Sequence, residues 1–287
     1  MDPVSLRLQA EPLILQALRE DVTSEDVTTA SVIGPEAVGR VQLIAKQDGV
    51  ICGLDVFART FELLDATTTT ELSVSEGDDV REGQVLGSVH AHVRALLSGE
   101  RVALNYLQRM SGIATMTRAF VDAVDAAPGS HARIADTRKT VPGLRPFDKY
   151  AVVCGGGRNH RYGLSDAVMV KDNHIAAMQA AGLDLTAGIK HIRDQVGHTT
   201  HIEVEVDRLD QIPAVLEGGA DTIMLDNFSL EDTRKGVAMI AGRAIVEASG
   251  TMTLERVPQV ASTGVDVISV GALTHSVRAI DLGLDWA

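Results

Sequence analysis

Basic side chains are concentrated in one short part of this sequence. Eight of the chain's 26 lysines and arginines lie between His131 and His174, together with only four aspartates. A solvated helix face would carry matching acids at helical spacing, and the whole chain has a formal net charge of −13. The cluster therefore predicts a pocket for an anionic ligand. Its members are Arg133, Arg138, Lys139, Arg145, Lys149, Arg158, Arg161 and Lys171.

Three of these residues end short apolar runs. Arg138 and Lys139 follow ARIADT, and Lys171 follows AVMV. A lysine at the end of a buried strand is costly to desolvate unless it meets an anion or its pKa is lowered. Lys171 is therefore interpreted as a ligand for a substrate carboxylate or as a Schiff-base nucleophile, as in barrel aldolases. The remaining alternative is a lysine that simply reaches solvent.

Carboxylates occupy the ends of the next two runs. In HIEVEVD, Glu203, Glu205 and Asp207 alternate with valines and so face one side of a strand. Asp226 ends the following run, and we expect Glu205 and Asp226 to face each other across the pocket. Two carboxylates there suit a magnesium ion with a hydroxylated, phosphate-bearing ligand. The structural alternative is a set of salt bridges to the basic cluster.

Glycine-rich segments follow several of the runs. CGGGRNHR would let the backbone bring His160 and Arg161 to the same mouth as Lys171. EASG and VGALTH follow the last two runs, where barrels commonly hold a phosphate through backbone N–H groups at a helix start. The glycines of EASG and VGALTH, Gly250 and Gly271, are therefore candidate phosphate ligands.

Six apolar runs after residue 130 predict a parallel sheet. Each run is rich in β-branched residues, ends in polar residues and is separated from the next by a helix-compatible segment. Repeated βα units require right-handed crossovers, and a barrel places its site at the carboxyl ends of the strands. Ionisable residues at nearly every strand end favour a barrel over an open doubly wound sheet. The runs are ARIADTRKT, DAVMVKDN, HIEVEVD, DTIMLDN, AIVEASG and VDVISVG.

The part of the chain before these runs has a different character. Residues 1 to about 115 mix helical and extended patterns, typical of an α/β sandwich. Apolar residues at helical spacing from Ala95 to Ala126 predict a pair of helices that link two domains, with a break at Ser111 and Gly112.

Composition limits the partners and the compartment. A length of 287 residues allows one or two domains, and the charge of −13 argues against nucleic acid or an anionic membrane as the main partner. Cys52 and Cys154 stand far apart in the sequence; we interpret them as small core residues of a protein from a reducing compartment. The sequence shows neither a signal peptide nor a membrane span, so we expect a cytoplasmic protein.

Taken in order, the motifs resemble the quinolinate phosphoribosyltransferase family, from about Ala95 to the C-terminus. They are GERVALNYLQRMSGIAT, DTRKTVPGLR, CGGGRNHRYGLSD, VKDNH, EVEVD, LDNF, EASG and VGALTHS. The resemblance implies transfer of phosphoribose from phosphoribosyl pyrophosphate to quinolinate, giving nicotinate mononucleotide, pyrophosphate and CO2 in de novo NAD synthesis. It also implies Mg²⁺ as cofactor and a homodimer with shared active sites.

The fold implied by the resemblance has two parts. Residues 1–113 would form an N-terminal α/β sandwich domain, and residues 114–287 an open α/β barrel of the type II phosphoribosyltransferase kind. The extreme C-terminus is left free to return to the N-terminal domain.

The resemblance assigns roles to individual positions as well. Arg138, His160, Arg161 and Lys171 would bind the two carboxylates of quinolinate, with Arg101 supplied by the neighbouring subunit. The phosphoribosyl pyrophosphate and its magnesium would be held by Lys139, Glu205, Asp226, Ser249, Gly250, Gly271 and His275, with Thr137 completing the substrate-binding set. The catalytic residues would be Lys139, Lys171, Glu205 and Asp226. Glu205 and Asp226 would hold the metal directly, through water or through the ligand.

Three other functions remain open from the sequence. A paralogous phosphoribosyltransferase of molybdenum-transport operons shares much of the barrel pattern and would use a different, pyrimidine-like acceptor. A Schiff-base aldolase would use Lys171. A non-catalytic sensor could bind a phosphosugar in the same pocket without releasing pyrophosphate.

Overall fold

The computed structural model describes residues 1–287 and divides into two compact units. The first unit consists of Met1–Arg118, Thr140–Gly156 and Leu273–Ala287. The second consists of Ala119–Lys139 and Gly157–Ala272. The units therefore interleave along the chain, whereas the domains drawn from the sequence, 1–113 and 114–287, are each continuous.

The first unit contains a four-stranded antiparallel sheet and a separate two-stranded pair. The sheet has the order β12-β1-β5-β3, and β2 pairs with β4. The strands are β1 Val38–Ala45, β2 Gly49–Val50, β3 Thr69–Leu72, β4 Asp79–Val80, β5 Val85–His92 and β12 Leu282–Trp286. The last strand of the chain thus pairs with the first.

Helices cover this sheet and close its core. The helices that begin before residue 157 are α1 Pro3–Ser5, α2 Glu11–Asp21, α3 Val27–Val32, α4 Leu54–Glu62, α5 Val93–Asp125 and α6 Arg145–Cys154, with a π-helical turn at Leu6–Ala10. Phe57 and Phe61 of α4 pack edge to face, 5.2 Å apart, in one buried cluster with Leu43 and Leu86 of the sheet. Burying a side chain of this size contributes about 1.5–3 kcal/mol. The predicted sandwich is confirmed.

Helix α5 is continuous through the predicted break. It runs for 33 residues, so the predicted pair of helices is wrong. The Ser111 hydroxyl accepts a hydrogen bond from the Cys52 N–H and donates one to the Cys52 carbonyl. Gly112 lies so close to the backbone of Arg278 that a Cβ there would come within 2.3 Å of its carbonyl oxygen. Both residues serve close packing, which the sequence pattern does not distinguish from a break. None of the helices has the length and apolarity needed to cross a bilayer.

The second unit contains the predicted parallel sheet. All six apolar runs form strands, in the order β6-β11-β10-β9-β8-β7, and the end strands β6 and β7 do not pair with each other. This is the open barrel that the family resemblance implied. The strands are β6 Arg133–Ala135, β7 Ala167–Val170, β8 His201–Val206, β9 Thr222–Asp226, β10 Ile245–Ser249 and β11 Val267–Ser269.

Helices alternate with these strands. They are α7 Asp172–Ala180, α8 Leu185–Gln195, α9 Ile212–Gly218, α10 Leu230–Ile240, α11 Val257–Ala261 and α12 Ala272–His275, with a 3₁₀ turn at Leu209–Gln211. Helix α10 shows how the sequence sets such elements. Ser229 caps its first turn by accepting the Asp232 N–H, and Thr233, Gly236 and Ile240 form its buried stripe. Ala241 and Gly242 then end it in left-handed conformations.

Candidate active site

A cavity of about 530 Å³ opens at the carboxyl ends of the barrel strands. Its volume lies in the range typical of small-molecule sites. Every lining residue belongs to the second unit. The lining residues are Thr137, Arg138, Lys139, His160, Arg161, Met169, Lys171, Glu205, Met224, Asp226, Asn227, Glu247, Ser249, Gly250, Thr251 and Ser269.

The strand ends explain why most of the predicted site residues meet here. Residues 137–139 follow β6, Lys171 follows β7, Glu205 lies near the end of β8, and Asp226 and Ser249 are the last residues of β9 and β10. In a parallel sheet these ends share one edge. The structure thus brings together Thr137, Arg138, Lys139, His160, Arg161, Lys171, Glu205, Asp226, Ser249 and Gly250.

Three predicted site residues do not line the cavity. Gly271 follows β11 but is not part of the wall, and Arg101 and His275 belong to the first unit. Arg101 is exposed on α5, and the ring of His275 contacts the hydroxyl of the adjacent Ser276.

Half of the basic cluster also lies outside the cavity, which corrects the expectation that the whole cluster forms one pocket. Arg133 begins β6 and so stands at the amino end of its strand, and Arg158 is exposed. Arg145 and Lys149 belong to α6 in the first unit. Closeness in the sequence did not show which basic residues lie at the carboxyl ends of the strands. Others of the cluster lie at the amino end of a strand or on the helix between β6 and β7.

The segment that carries His160 and Arg161 is held against β6. The Arg158 N–H donates to the Ile134 carbonyl at 2.8 Å, and the Asp136 N–H donates to the Arg158 carbonyl at 3.0 Å. The fully buried carboxylate of Asp136 accepts the His160 N–H at 2.8 Å. The glycines before this segment therefore lead into a short, strand-like pairing with β6. This pairing fixes the direction of the His160 and Arg161 side chains.

Two guanidinium groups in the wall have hydrogen-bonding capacity that the protein does not use. The Nε atoms of Arg138 and Arg161 are buried without a partner, although Arg161 also donates to the Ala167 carbonyl at 3.1 Å. Burial and the nearby charge of Arg138 lower the pKa of Arg161. A buried N–H without a partner costs about 1–3 kcal/mol, and a carboxylate is the group that best satisfies an arginine. This part of the wall is suited to an anion.

His160 is held by two buried glutamates. Its Nε2 lies 3.1 Å from Glu203 Oε2 and 3.4 Å from Glu247 Oε2, and both carboxylates are 3% exposed. Its Nδ1 accepts the Arg161 N–H at 2.7 Å. The ring thus donates from Nε2 toward the carboxylates, which fixes its orientation. Glu247 was not predicted, although a glutamate inside the apolar run AIVEAS was a usable signal.

The three groups share protons tightly. Burial alone would lower the pKa of His160, but the hydrogen bonds and charges of Glu203 and Glu247 outweigh it and raise the pKa to about 10. Burial raises the pKa of Glu203. The three groups titrate together, so the additional proton belongs to the trio as a whole. The trio, defined as His160, Glu203 and Glu247, keeps that proton at neutral pH.

Lys171 and Glu205 form an ion pair across neighbouring strand ends. Lys171 Nζ lies 3.3 Å from Glu205 Oε2, and the lysine side chain is 47% exposed. The lysine ammonium has three N–H donors, so it can hold Glu205 and contact a second anion at the same time. The contact supports the interpretation of Lys171 as an anion ligand.

A left-handed turn forms the part of the wall beyond β9 and β10. Asn227, Gly250 and Thr251 all have positive φ, of 56°, 93° and 43°. The Asn227 N–H donates to the Ser249 carbonyl, and a Cβ on Gly250 would come within 2.1 Å of Asn227 Oδ1. Such strain in non-glycine residues collects at ligand sites. The predicted helix start after EASG is absent, since the next helix begins at Val257.

The sequence as a whole matches one family of enzymes. The profile described as quinolinate phosphoribosyl transferase, C-terminal domain, matches residues 113–285, and that of the N-terminal domain matches residues 26–111. The chain belongs to the quinolinate phosphoribosyltransferase family. The resemblance inferred from the motifs is thereby confirmed, and it extends to the N-terminal part, where the motifs were weak.

Individual relatives of this quinolinate phosphoribosyltransferase family member agree over nearly their full length. A probable nicotinate-nucleotide pyrophosphorylase (carboxylating) of Bacillus subtilis is 41% identical over 97% of this chain and 93% of its own length. The nicotinate-nucleotide pyrophosphorylase (carboxylating) of Mycobacterium leprae is 41% identical over 96% of each chain. The crystal structure of NadC from Streptococcus pyogenes is 40% identical, covers 99% of this chain and 97% of its own, and superposes with a TM-score of 0.92.

Proposed function

We propose that this enzyme transfers phosphoribose from phosphoribosyl pyrophosphate to quinolinate, with loss of CO2. The observation that carries the proposal is the meeting, in one cavity, of two guanidinium groups whose buried Nε atoms have no partner, two carboxylates and a left-handed turn. These three features match the parts of the reaction. A pyridine dicarboxylate needs cations, a developing ribosyl cation needs anions, and a phosphate needs backbone N–H groups.

Quinolinate would bind at the basic side of the cavity. The Nε–H groups of Arg138 and Arg161 would donate to one carboxylate of quinolinate. Lys171 and His160 would orient the other carboxylate. Holding both carboxylates fixes the ring nitrogen in line with the sugar, which removes much of the entropic cost of the encounter.

Glu205 and Asp226 would act on the sugar. Departure of pyrophosphate builds positive charge on the ribose ring, and carboxylates beside it stabilise that transition state electrostatically. Their oxygens also suit Mg²⁺, which keeps several waters and binds through one or two carboxylates and substrate phosphates. Such an ion would neutralise charge on the leaving pyrophosphate. Lys139 would contribute to the same neutralisation, and Ser249, Gly250 and Thr251 would hold the 5′-phosphate.

Decarboxylation follows from the first step. Once the ring nitrogen carries the ribose, the pyridinium ring accepts the electron pair of the adjacent C–CO2 bond, and CO2 leaves. A proton must then reach that carbon. Lys171 would hold the departing carboxylate until the bond breaks, and no covalent intermediate with the enzyme is needed.

The site would be completed by a second copy of the chain. Arg101 is exposed on α5, and we propose that it enters the partner's cavity in a homodimer. Gly271 and His275 stay proposed ligands of phosphoribosyl pyrophosphate. A cytoplasmic location is proposed from the sparse cysteine usage, both thiols being free.

Incubation with quinolinate, phosphoribosyl pyrophosphate and Mg²⁺ tests the function directly. We expect CO2, pyrophosphate and nicotinate mononucleotide in equal amounts. Turnover with a pyrimidine-like acceptor but not with quinolinate would favour the molybdenum-operon paralogue. Binding of the phosphosugar without pyrophosphate release would favour a sensor, and either outcome would reject the proposal.

A further inference from the structure

The two cysteines of the chain meet around a glutamate in the first unit. Cys52 precedes α4 and Cys154 ends α6, far apart in the sequence. Their sulfur atoms and a carboxylate oxygen of Glu76 all lie within 4.8 Å of one another. Cys52 is fully buried and Cys154 is partly accessible. The expectation that both cysteines simply fill the core therefore leaves this convergence unexplained.

Backbone hydrogen bonds hold the carboxylate in place. Glu76 Oε1 accepts the Leu54 N–H at 2.8 Å, and Oε2 accepts the Gly53 N–H at 2.8 Å. These donors start α4, so the negative charge also stabilises the helix. Hydrogen-bond donors that orient a metal-ligating side chain without touching the metal are typical of metal sites. They raise the affinity for the metal about 10–100-fold.

Cys52 is fixed as firmly on the other side. The Ser111 hydroxyl accepts the Cys52 N–H at 2.9 Å and donates to the Cys52 carbonyl at 3.1 Å. Two of the three potential ligands, which we call the Cys52–Glu76–Cys154 cluster, are thus held by hydrogen bonds from neighbouring segments.

The spacing within the cluster suits a tetrahedral ion. Cys154 Sγ lies 3.5 Å from Glu76 Oε2. Around a tetrahedral zinc ion, with Zn–S of about 2.3 Å and Zn–O of about 2.0 Å, neighbouring sulfur and oxygen ligands are about 3.5 Å apart. In the ion-free protein the same separation is a thiol-to-carboxylate hydrogen bond, so one geometry serves both states.

The charge of the cluster also calls for a cation. No lysine or arginine forms an ion pair with Glu76, whose contacts are the two N–H groups and the thiol. A divalent cation would replace the thiol protons and neutralise most of the resulting negative charge.

We propose that Cys52, Glu76 and Cys154 form a binding site for a soft divalent cation of the zinc class, with the fourth position taken by water. Thiolates select such ions over magnesium, which prefers oxygen ligands. The site is built only from first-unit residues, whereas the proposed magnesium ligands Glu205 and Asp226 belong to the second. The inference does not depend on the proposed function.

Cobalt(II) is the sharpest probe, because thiolate ligands give it a near-ultraviolet charge-transfer absorption that oxygen and nitrogen ligands do not. The experiment uses the full-length chain, reduced, stripped of metal and titrated with Co²⁺ alone. The chain has only two cysteines, so such a band can arise from no other site. We expect the band to saturate at one equivalent, and one equivalent of Zn²⁺ to remove it.

Variants locate the site. Cys154→Ser should abolish the band, and Glu76→Gln should weaken Co²⁺ binding at least about tenfold. Glu205→Gln, which changes only the second unit, should leave the band intact. Circular dichroism shows whether each variant is folded, and Cys52→Ser provides a second test if Glu76→Gln is not.

Absence of a band at one equivalent of Co²⁺, with two thiols titrated in the same sample, would overturn the proposal. A band that survives in Cys154→Ser would do the same. Formation of a Cys52–Cys154 disulfide in air, without cation binding after reduction, would show a redox pair in place of the metal site.

Discussion

Single side chains in the cavity divide into those paired within the protein and those with unused hydrogen bonds. Glu205 pairs with Lys171, and Asp226 accepts from the Asn227 amide at 2.9 Å. Arg138 and Arg161 each keep a buried N–H without a partner. A bound carboxylate recovers the free energy lost at these two atoms, so the ligand that fits must be anionic on that side.

Glu205→Gln should lower turnover much more than it changes quinolinate affinity. The substitution keeps the size of the side chain but removes the negative charge that stabilises the ribosyl cation. Loss of one such electrostatic contact typically costs about 100-fold to 1,000-fold in kcat. Steady-state kinetics and calorimetric quinolinate binding measure the two quantities. Glu217→Gln, at an exposed glutamate of α9, is the control, and unchanged turnover in Glu205→Gln would refute the assignment.

The trio of His160, Glu203 and Glu247 should make folding stability depend on pH. Its raised pKa means that the folded protein binds the proton more tightly than the unfolded chain, so stability falls as pH rises. The contribution is full below about pH 6.5 and is lost as pH approaches about 10. Glu247→Gln should flatten this slope in denaturant unfolding between pH 7 and 10. The Glu217→Gln control should keep it, and equal slopes in both variants would contradict the shared proton.

At the scale of elements, the turn after β9 and β10 is the most constrained part of the site. Asn227, Gly250 and Thr251 adopt left-handed conformations that a β-branched residue such as threonine rarely takes. The strain is held by the register between β9 and β10, in which Ser249 pairs with Asp226. The geometry of the turn therefore depends on two strands and not on a local motif.

Gly250→Ala should disturb the proposed phosphate site. The new methyl group would overlap the Asn227 amide, because the Cβ position lies 2.1 Å from Oδ1. We expect the KM for phosphoribosyl pyrophosphate to rise about tenfold, equivalent to about 1.4 kcal/mol, with quinolinate binding little changed. Gly242→Ala is the matched control, since Gly242 also has positive φ but nothing within 4 Å. Equal effects of the two substitutions would place the phosphate elsewhere.

At the scale of the whole molecule, the proposed homodimer can be tested by mixing two inactive variants. Arg101→Ala and Lys171→Ala should each be nearly inactive alone. In a mixed dimer, the intact cavity of the first variant would receive Arg101 from the second. Random mixing makes about half of the dimers mixed, and each mixed dimer has one working site of two. About a quarter of the original activity should therefore return.

The control for this experiment pairs two cavity variants. Lys171→Ala mixed with Glu205→Gln leaves every cavity damaged, and no activity should return. Refolding the chains together, followed by assay at matched total concentration, provides the measurement. Absence of recovery with Arg101→Ala would show that the active sites are not shared between subunits.

Much of the fold was predictable because hydrophobic pattern is a local property. The six β-branched runs formed the six strands, and their polar ends marked the edge on which the cavity lies. Arg138, Lys171, Glu205 and Asp226 could be assigned to one site because parallel strands bring their carboxyl ends together. Ordered motifs then identified the family without any coordinates.

Other features depend on distances that no local pattern records. Glu203 and Glu247 lie on strands two places apart, and only the strand order directs both toward His160. Ser111 and Gly112 looked like a helix break, because close packing and chain breaks both select small residues. Cys52, Glu76 and Cys154 come together only because segments far apart in the sequence pack in one unit. The sequence determined the elements and their chemistry, and tertiary packing decided which charges and sulfur atoms meet, because those contacts join residues that the chain itself keeps apart.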